Sequence, residues 1–158
     1  MTPKEAADAL VAALPTGLSV AQVEEYGIEA TPEAAGAIVR EVVSLNLFWI
    51  CTAIDAQIPA QYRSLVKELV FRAAESRWAA GEGGAVDWAS FLAEWNERKR
   101  RYDRLAQDGA SPLQLNAEAG MELEEQGVIT EDARRNVLTL LIDFVPVETY
   151  GHVLGELE

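Results

Sequence analysis

The chain carries one histidine, His152, and one cysteine, Cys51, so imidazole or thiolate chemistry has a single candidate for each. A cysteine attacks or binds metal as the thiolate, and that form needs a nearby cation, base or helix N-terminus. Cys51 lies in a long apolar run with no histidine near it in sequence, and reads as an inert, partly buried thiol. His152 reads as a surface or packing residue close to the C-terminus.

Metal chemistry lacks its donor pattern as well. The residue three before His152 is Thr149, so a Glu-x-x-His pair is absent, as are His-Glu-x-x-His, paired cysteines and an EF-hand loop. Neither Gly-x-Gly-x-x-Gly nor Gly-x-x-x-x-Gly-Lys occurs, and the GEGG stretch at 81–84 follows a predicted helix and has no lysine. With 26 acidic residues, some pair of carboxylates must fall close by chance, so their number assigns no acid or base. The sequence thus motivates no catalytic, cofactor-binding or metal-ligating residue and leans away from an enzyme.

Charge is the stronger signal. The formal net charge is -13, and it is uneven: residues 1–60 hold 8 acids and 2 bases, residues 111–158 hold 10 acids and 2 bases, and the middle is nearly balanced. Acidic surfaces repel phosphate backbones and attract basic partners, which argues against nucleic-acid binding. The exception is WNERKRRYDR at 95–104, where Arg98, Lys99, Arg100, Arg101 and Arg104 fall within seven positions. Three roles compete for this run: a solvated helix surface balancing nearby acids, a recognition patch in which Arg98 and Arg101 flank Trp95 and Tyr102, or a nucleic-acid contact.

Local signals place these residues on helices. Thr2-Pro3-Lys4-Glu5 and Ser111-Pro112-Leu113-Gln114 combine a hydroxyl cap, a proline at the first helical position and a reciprocal side chain at the third. Ser19, Thr31, Asp87 and Thr130 mark further starts, and Gly17, Gly27, Gly81, Gly109 and Gly127 sit near ends or turns. The reading is helices at 3–14, 20–26, 32–56, 60–80, 88–107, 112–126, 131–145 and 147–156. No stretch alternates as a strand would, so the expected fold is all-α: one helical domain over 1–158, six to eight helices around a central apolar helix at 32–56.

Within that central helix, residues 38–56 place their apolar side chains in an arc of about 200°, leaving Arg40, Glu41, Ser44, Thr52 and Asp55 in the remaining sector. The run from Val42 to Ile54 is flanked by charges and falls short of the roughly 20 residues of a membrane span, so a buried helix of a cytoplasmic protein is expected. Asn46 lies inside the arc and needs a partner; Trp49, one turn on, reads as core filler. Lys99 falls inside the apolar stripe of its own helix and is expected to be buried, its ammonium reaching Asp55 or Glu41. Phe71 and Trp78 lie opposite the Tyr62, Leu65, Val66, Leu69, Ala73 stripe and need a cover: the helix at 112–126, the C-terminal pair, or another chain.

The function expected from these features is a non-catalytic interaction protein whose acidic surface engages a basic protein, as an inhibitor, immunity-type or regulatory factor would. Glu118, Glu122, Glu124 and Glu125 are the acidic candidates, with Trp95, Arg98 and Arg101 as a second contact set. Two alternatives stand beside it: a helical enzyme or small-molecule binder with a pocket near Asn46, Trp49, Trp95 and Lys99, and a homodimer joined through Phe71 and Trp78.

Overall fold

Reciprocal capping fixes where several helices begin. The Glu5 amide donates to Thr2 Oγ1 at 3.1 Å while the Thr2 amide donates to the Glu5 carboxylate at 3.1 Å, opening α1 (Pro3–Ala12). The same box, with Ser19 and Gln22, opens α2 (Val20–Glu25), and with Ser111 and Gln114 it opens α6 (Pro112–Glu125). Thr31 caps α3 (Pro32–Gln57), and the Asp87 carboxylate accepts the Ser90 amide at 2.7 Å to start α5 (Trp88–Gln107). Helix α4 spans Ala60–Arg77, α7 Arg134–Phe144 and α8 Val147–Glu156. Thr130 makes no side-chain cap; a turn of 3-10 helix, Glu131–Ala133, precedes α7 instead.

This is the architecture of a computed structural model, which describes residues 1–15, 18–78 and 86–157. Gly17, Gly81 and the GEGG stretch lie outside the described residues, as do the last two positions of the helix expected at 60–80. Among the described residues there are eight α-helices and no strand, an all-α bundle.

Helix α3 is the hub. It packs against α2, α4, α5 and α8, while α1 lies on α4 and α8, and α6 bridges α5 and α7. Between residues 41 and 51 only Val43 and Trp49 are less than buried. The supposed polar sector is enclosed too: Glu41 and Ser44 are buried, which departs from the sequence reading. Thr52 and Asp55 of that sector stay exposed, but along 41–51 the helix is enclosed and each buried polar group there must find a protein partner.

Asn46 finds three. Its Nδ2 donates to Val42 O and Phe144 O, each at 2.9 Å, and its Oδ1 accepts from the Tyr150 hydroxyl at 2.6 Å. Phe144 is the last residue of α7, where carbonyls have lost their intrahelical donors, so the amide caps α7 while holding α8 through Tyr150. Pro146 follows after Val145 and turns the chain into α8.

Helix α4 is rotated relative to its expected stripe. Val66, Val70 and Ala74 are buried, whereas Tyr62 and Leu65 are both 45% exposed. Phe71 and Trp78 turn inward against α5: Phe71 meets the Trp95 ring at 5.5 Å, and Trp78 lies 4.5 Å from Phe91 and 5.6 Å from Trp88. The cover is therefore α5, not α6 or the C-terminal pair. The rotation follows from α4 serving α1 and α3 as well as these rings.

By length and composition alone, Pro32–Gln57 is apolar enough to cross a membrane, contrary to the shorter reading above, and 61% of its apolar window is buried by its neighbours. The stretch 131–156 passes the same test of composition but breaks between α7 and α8.

Replacing Asn46 with Leu strands the Tyr150 hydroxyl and the Phe144 carbonyl. A loss of about 2–4 kcal/mol in denaturant unfolding is expected, and adding Tyr150→Phe should recover part of it.

Candidate functional site

The basic run on α5 follows the helix period. Phe91, Trp95, Arg98 and Tyr102 recur at spacings of four, three and four, and these are the buried residues of α5. The buried base is therefore Arg98, 8% exposed, and not Lys99. Lys99 is exposed and pairs along its own helix with Asp103 at 2.6 Å, which corrects its expected burial. Neither suggested partner is available to it, since Asp55 pairs with Lys67 at 2.7 Å and Glu41 is engaged elsewhere.

Glu41, 1% exposed, is the centre of the cluster. Its Oε2 accepts from Arg98 Nε at 2.6 Å and from the Tyr102 hydroxyl at 2.8 Å; its Oε1 accepts from Arg101 Nη2 at 2.9 Å. Arg98 also meets Glu94 at 2.9 Å and donates to Ser44 Oγ at 3.3 Å, Glu94 receives Arg40 at 3.0 Å, and Arg101 reaches Glu122 on α6 at 3.6 Å. The ionic chain Arg40, Glu94, Arg98, Glu41, Arg101, Glu122 thus ties α3, α5 and α6. Burial pushes the Glu41 carboxyl above the ordinary carboxylate range, opposed by the two guanidiniums and the Tyr102 hydrogen bond. The Tyr102 hydroxyl is pushed well above its usual range by burial and by the Glu41 charge.

This arrangement accounts for Arg98 and Arg101 as internal ligands of a carboxylate. Trp95 is buried against Phe71, so the sequence-proposed contact set of Trp95, Arg98 and Arg101 is largely withdrawn from the surface. The pocket imagined near Asn46, Trp49, Trp95 and Lys99 is not assembled: Asn46 faces α8, Trp95 faces α4, and Lys99 is exposed. Trp49 lies against Phe48 at 5.0 Å and its indole N–H has no partner among the described residues. Cys51 is buried, and burial pushes its thiol up to about 11, away from thiolate chemistry. His152 is exposed. Among the described residues no three His, Cys, Asp or Glu side chains converge as a metal site would require.

The acids divide into compensated and uncompensated groups. Of the four singled out on α6, Glu122 pairs with Arg101, and Glu124 pairs with Arg134 at 3.2 Å. Glu118 and Glu125 are exposed and carry no ion pair among the described residues. A second set, Glu24, Glu25, Glu29 and Glu33, runs from α2 through the connecting loop to the start of α3, all exposed and without an ion pair among the described residues. That corner was not singled out from sequence, although the signal was present: residues 20–33 contain four acids and no base.

Comparison with protein-family models, curated proteins and solved structures finds no match.

Breaking the ionic cluster on one side leaves a buried charge. Arg98→Met should destabilise the fold by about 3–5 kcal/mol, and Glu41→Leu combined with it should cost less than the two alone, measured as a double-mutant cycle. The pH dependence has a defined sign. A carboxyl raised in the fold binds its proton more readily folded than unfolded, so its contribution is full below the ordinary carboxylate value and is lost as pH climbs through the folded value. Wild-type stability relative to Glu41→Gln should therefore increase as pH falls from neutrality towards that range; the opposite slope in denaturant midpoints would mean the guanidiniums outweigh burial.

Proposed function

We propose that this chain is a non-catalytic binding protein that engages a basic protein partner through its uncompensated acidic surface. The observation that carries this reading is the division of charge: on α5, Arg98 and Arg101 are held by Glu41 and Lys99 by Asp103, leaving Arg100 and Arg104 exposed, while Glu24, Glu25, Glu29, Glu33, Glu118 and Glu125 are exposed with no ion pair among the described residues. Such a surface steers a cationic partner over a distance of order the Debye length and rejects anionic ones. Self-association through Phe71 and Trp78 loses its motive, because both rings are stacked on α5 within the chain. A pocket enzyme loses its motive with the dispersal of its four residues.

The test is charge reversal at positions that hold no internal pair. Glu24→Lys, Glu25→Lys, Glu118→Lys and Glu125→Lys together should leave the helical signal and unfolding midpoint near wild type, because none of these carboxylates is ion-paired among the described residues. Partners captured by the wild type should be basic, should be released by moderate salt, and should be missing from the variant's capture. Identical partners on both proteins would refute an electrostatic mode of recognition.

A further inference from the structure

Self-association, which Phe71 and Trp78 do not support, has a motive on another face. Helices α6 and α7 run antiparallel in close contact: Glu124 meets Arg134 at 3.2 Å, and a methyl group on Gly120 would stand 4.0 Å from Val137. At about 100° per residue, Ala117 and Met121 fall just past the edge of α6 that faces α7, and Leu138 and Ile142 just past the edge of α7 that faces α6. Both pairs lie on the outward side, away from the buried Leu123 and Leu140. With Leu113 at the head of α6 they form one apolar seam. No described residue covers it: Leu113 is 53%, Ile142 52% and Met121 40% exposed, the first two being the most exposed large apolar side chains among the described residues. The two rims of the seam differ in charge. Glu118 and Glu125 stand along the α6 rim and Arg135 along the α7 rim, all exposed and without an ion pair among the described residues.

We propose that this face binds a second copy of the chain, with α6 of each protomer laid on α7 of the other. Charge complementarity selects that occupant. A two-fold axis along the seam turns the acidic rim of one copy onto the basic rim of the other, in a four-helix arrangement whose neighbours all run antiparallel. The register is already set within the chain. With 124 level with 134 and 120 level with 137, Arg135 of one copy comes within about 7 Å, along the axis, of both Glu118 and Glu125 of the other. A uniformly basic segment would meet Arg135 as a like charge, and an acidic one would meet Glu118 and Glu125. The net charge of -13 sets two copies against each other at a distance, but physiological salt screens that repulsion beyond about 8 Å, and burial of the seam decides at contact. The α2 corner, tied to Asn136 and Asp143 on the other edge of α7, stays outside the contact, so its acids remain available to a basic partner.

Sedimentation equilibrium of the full chain in physiological salt, from a few to several hundred micromolar, reads the contact directly. Wild type should pass from the mass of one chain to that of two. Met121→Glu with Ile142→Glu should raise the dissociation constant of the dimer at least about tenfold, and Arg135→Glu should raise it by a similar factor. Adding Glu118→Arg and Glu125→Arg to Arg135→Glu exchanges the two rims and should bring the constant back towards wild type. All these positions are exposed, so the helical signal of each variant serves as its control. A wild type that stays monomeric throughout, or a dimer indifferent to Met121→Glu with Ile142→Glu, overturns the proposal. So does a dimer that Arg135→Glu leaves unchanged, or weakens without rescue by the exchanged rims, because α6 would then not lie on α7. Should the Met121→Glu, Ile142→Glu variant fail to fold, amide resonances of wild type decide: shifts with concentration at 113–121 and 135–142 support this face, and shifts confined to other helices reject it.

Discussion

The enclosure of α3 is the constraint on which the rest of the molecule depends. A helix covered by α2, α4, α5 and α8 has no route to water for Glu41, Ser44 or Asn46, so each must be satisfied by a side chain or carbonyl brought from another helix. The Glu41 carboxylate draws two guanidiniums and a phenol from α5; the Asn46 amide draws the end of α7 and the Tyr150 hydroxyl of α8. Apolar packing alone would tolerate α5 or α8 sliding by a turn. These directional contacts do not, because a slip would leave a buried charge or amide unpaired, at a cost of several kcal/mol for the charge.

This internal accounting shapes the exterior. Arg98 and Arg101 are held by Glu41, while Lys99 is balanced by Asp103 on its own helix. What remains outside is chiefly negative, although Arg100, Arg104 and Arg135 are exposed as well. The core and the surface are thus two consequences of one distribution of bases. Among the described residues Arg98 is the buried guanidinium and Glu41 the buried carboxylate, so the core holds one charge of each sign and the excess of acids lies outside it.

The comparison of sequence with structure is instructive residue by residue. Helix starts at Thr2, Ser19, Thr31, Asp87 and Ser111 were legible because a cap is a contact between residues three apart, decided before any tertiary packing. The centrality of α3 was legible from the width of its apolar arc. Lys99 was misplaced because Trp88, Leu92 and Ala106 drew the apparent stripe towards it, whereas the buried face runs through Phe91, Trp95, Arg98 and Tyr102, and Arg98 lies about 100° from Lys99 around the helix. Phe71 and Trp78 were read as facing away from the core because Tyr62 and Leu65 set the apparent stripe, yet the aromatic face of α5 outweighed those two residues.

Sequence alone therefore determined the helices, most of their starts, the identity of the hub and the need for a partner at Asn46, since all of these follow from capping, periodicity and the cost of an unpaired amide. Which side chains meet that need, which face of α4 turns inward, and which carboxylates keep an unbalanced charge were decided only by the tertiary structure. Those outcomes depend on groups far apart in the chain competing for the same partner, and the competition has no winner until the helices stand beside one another.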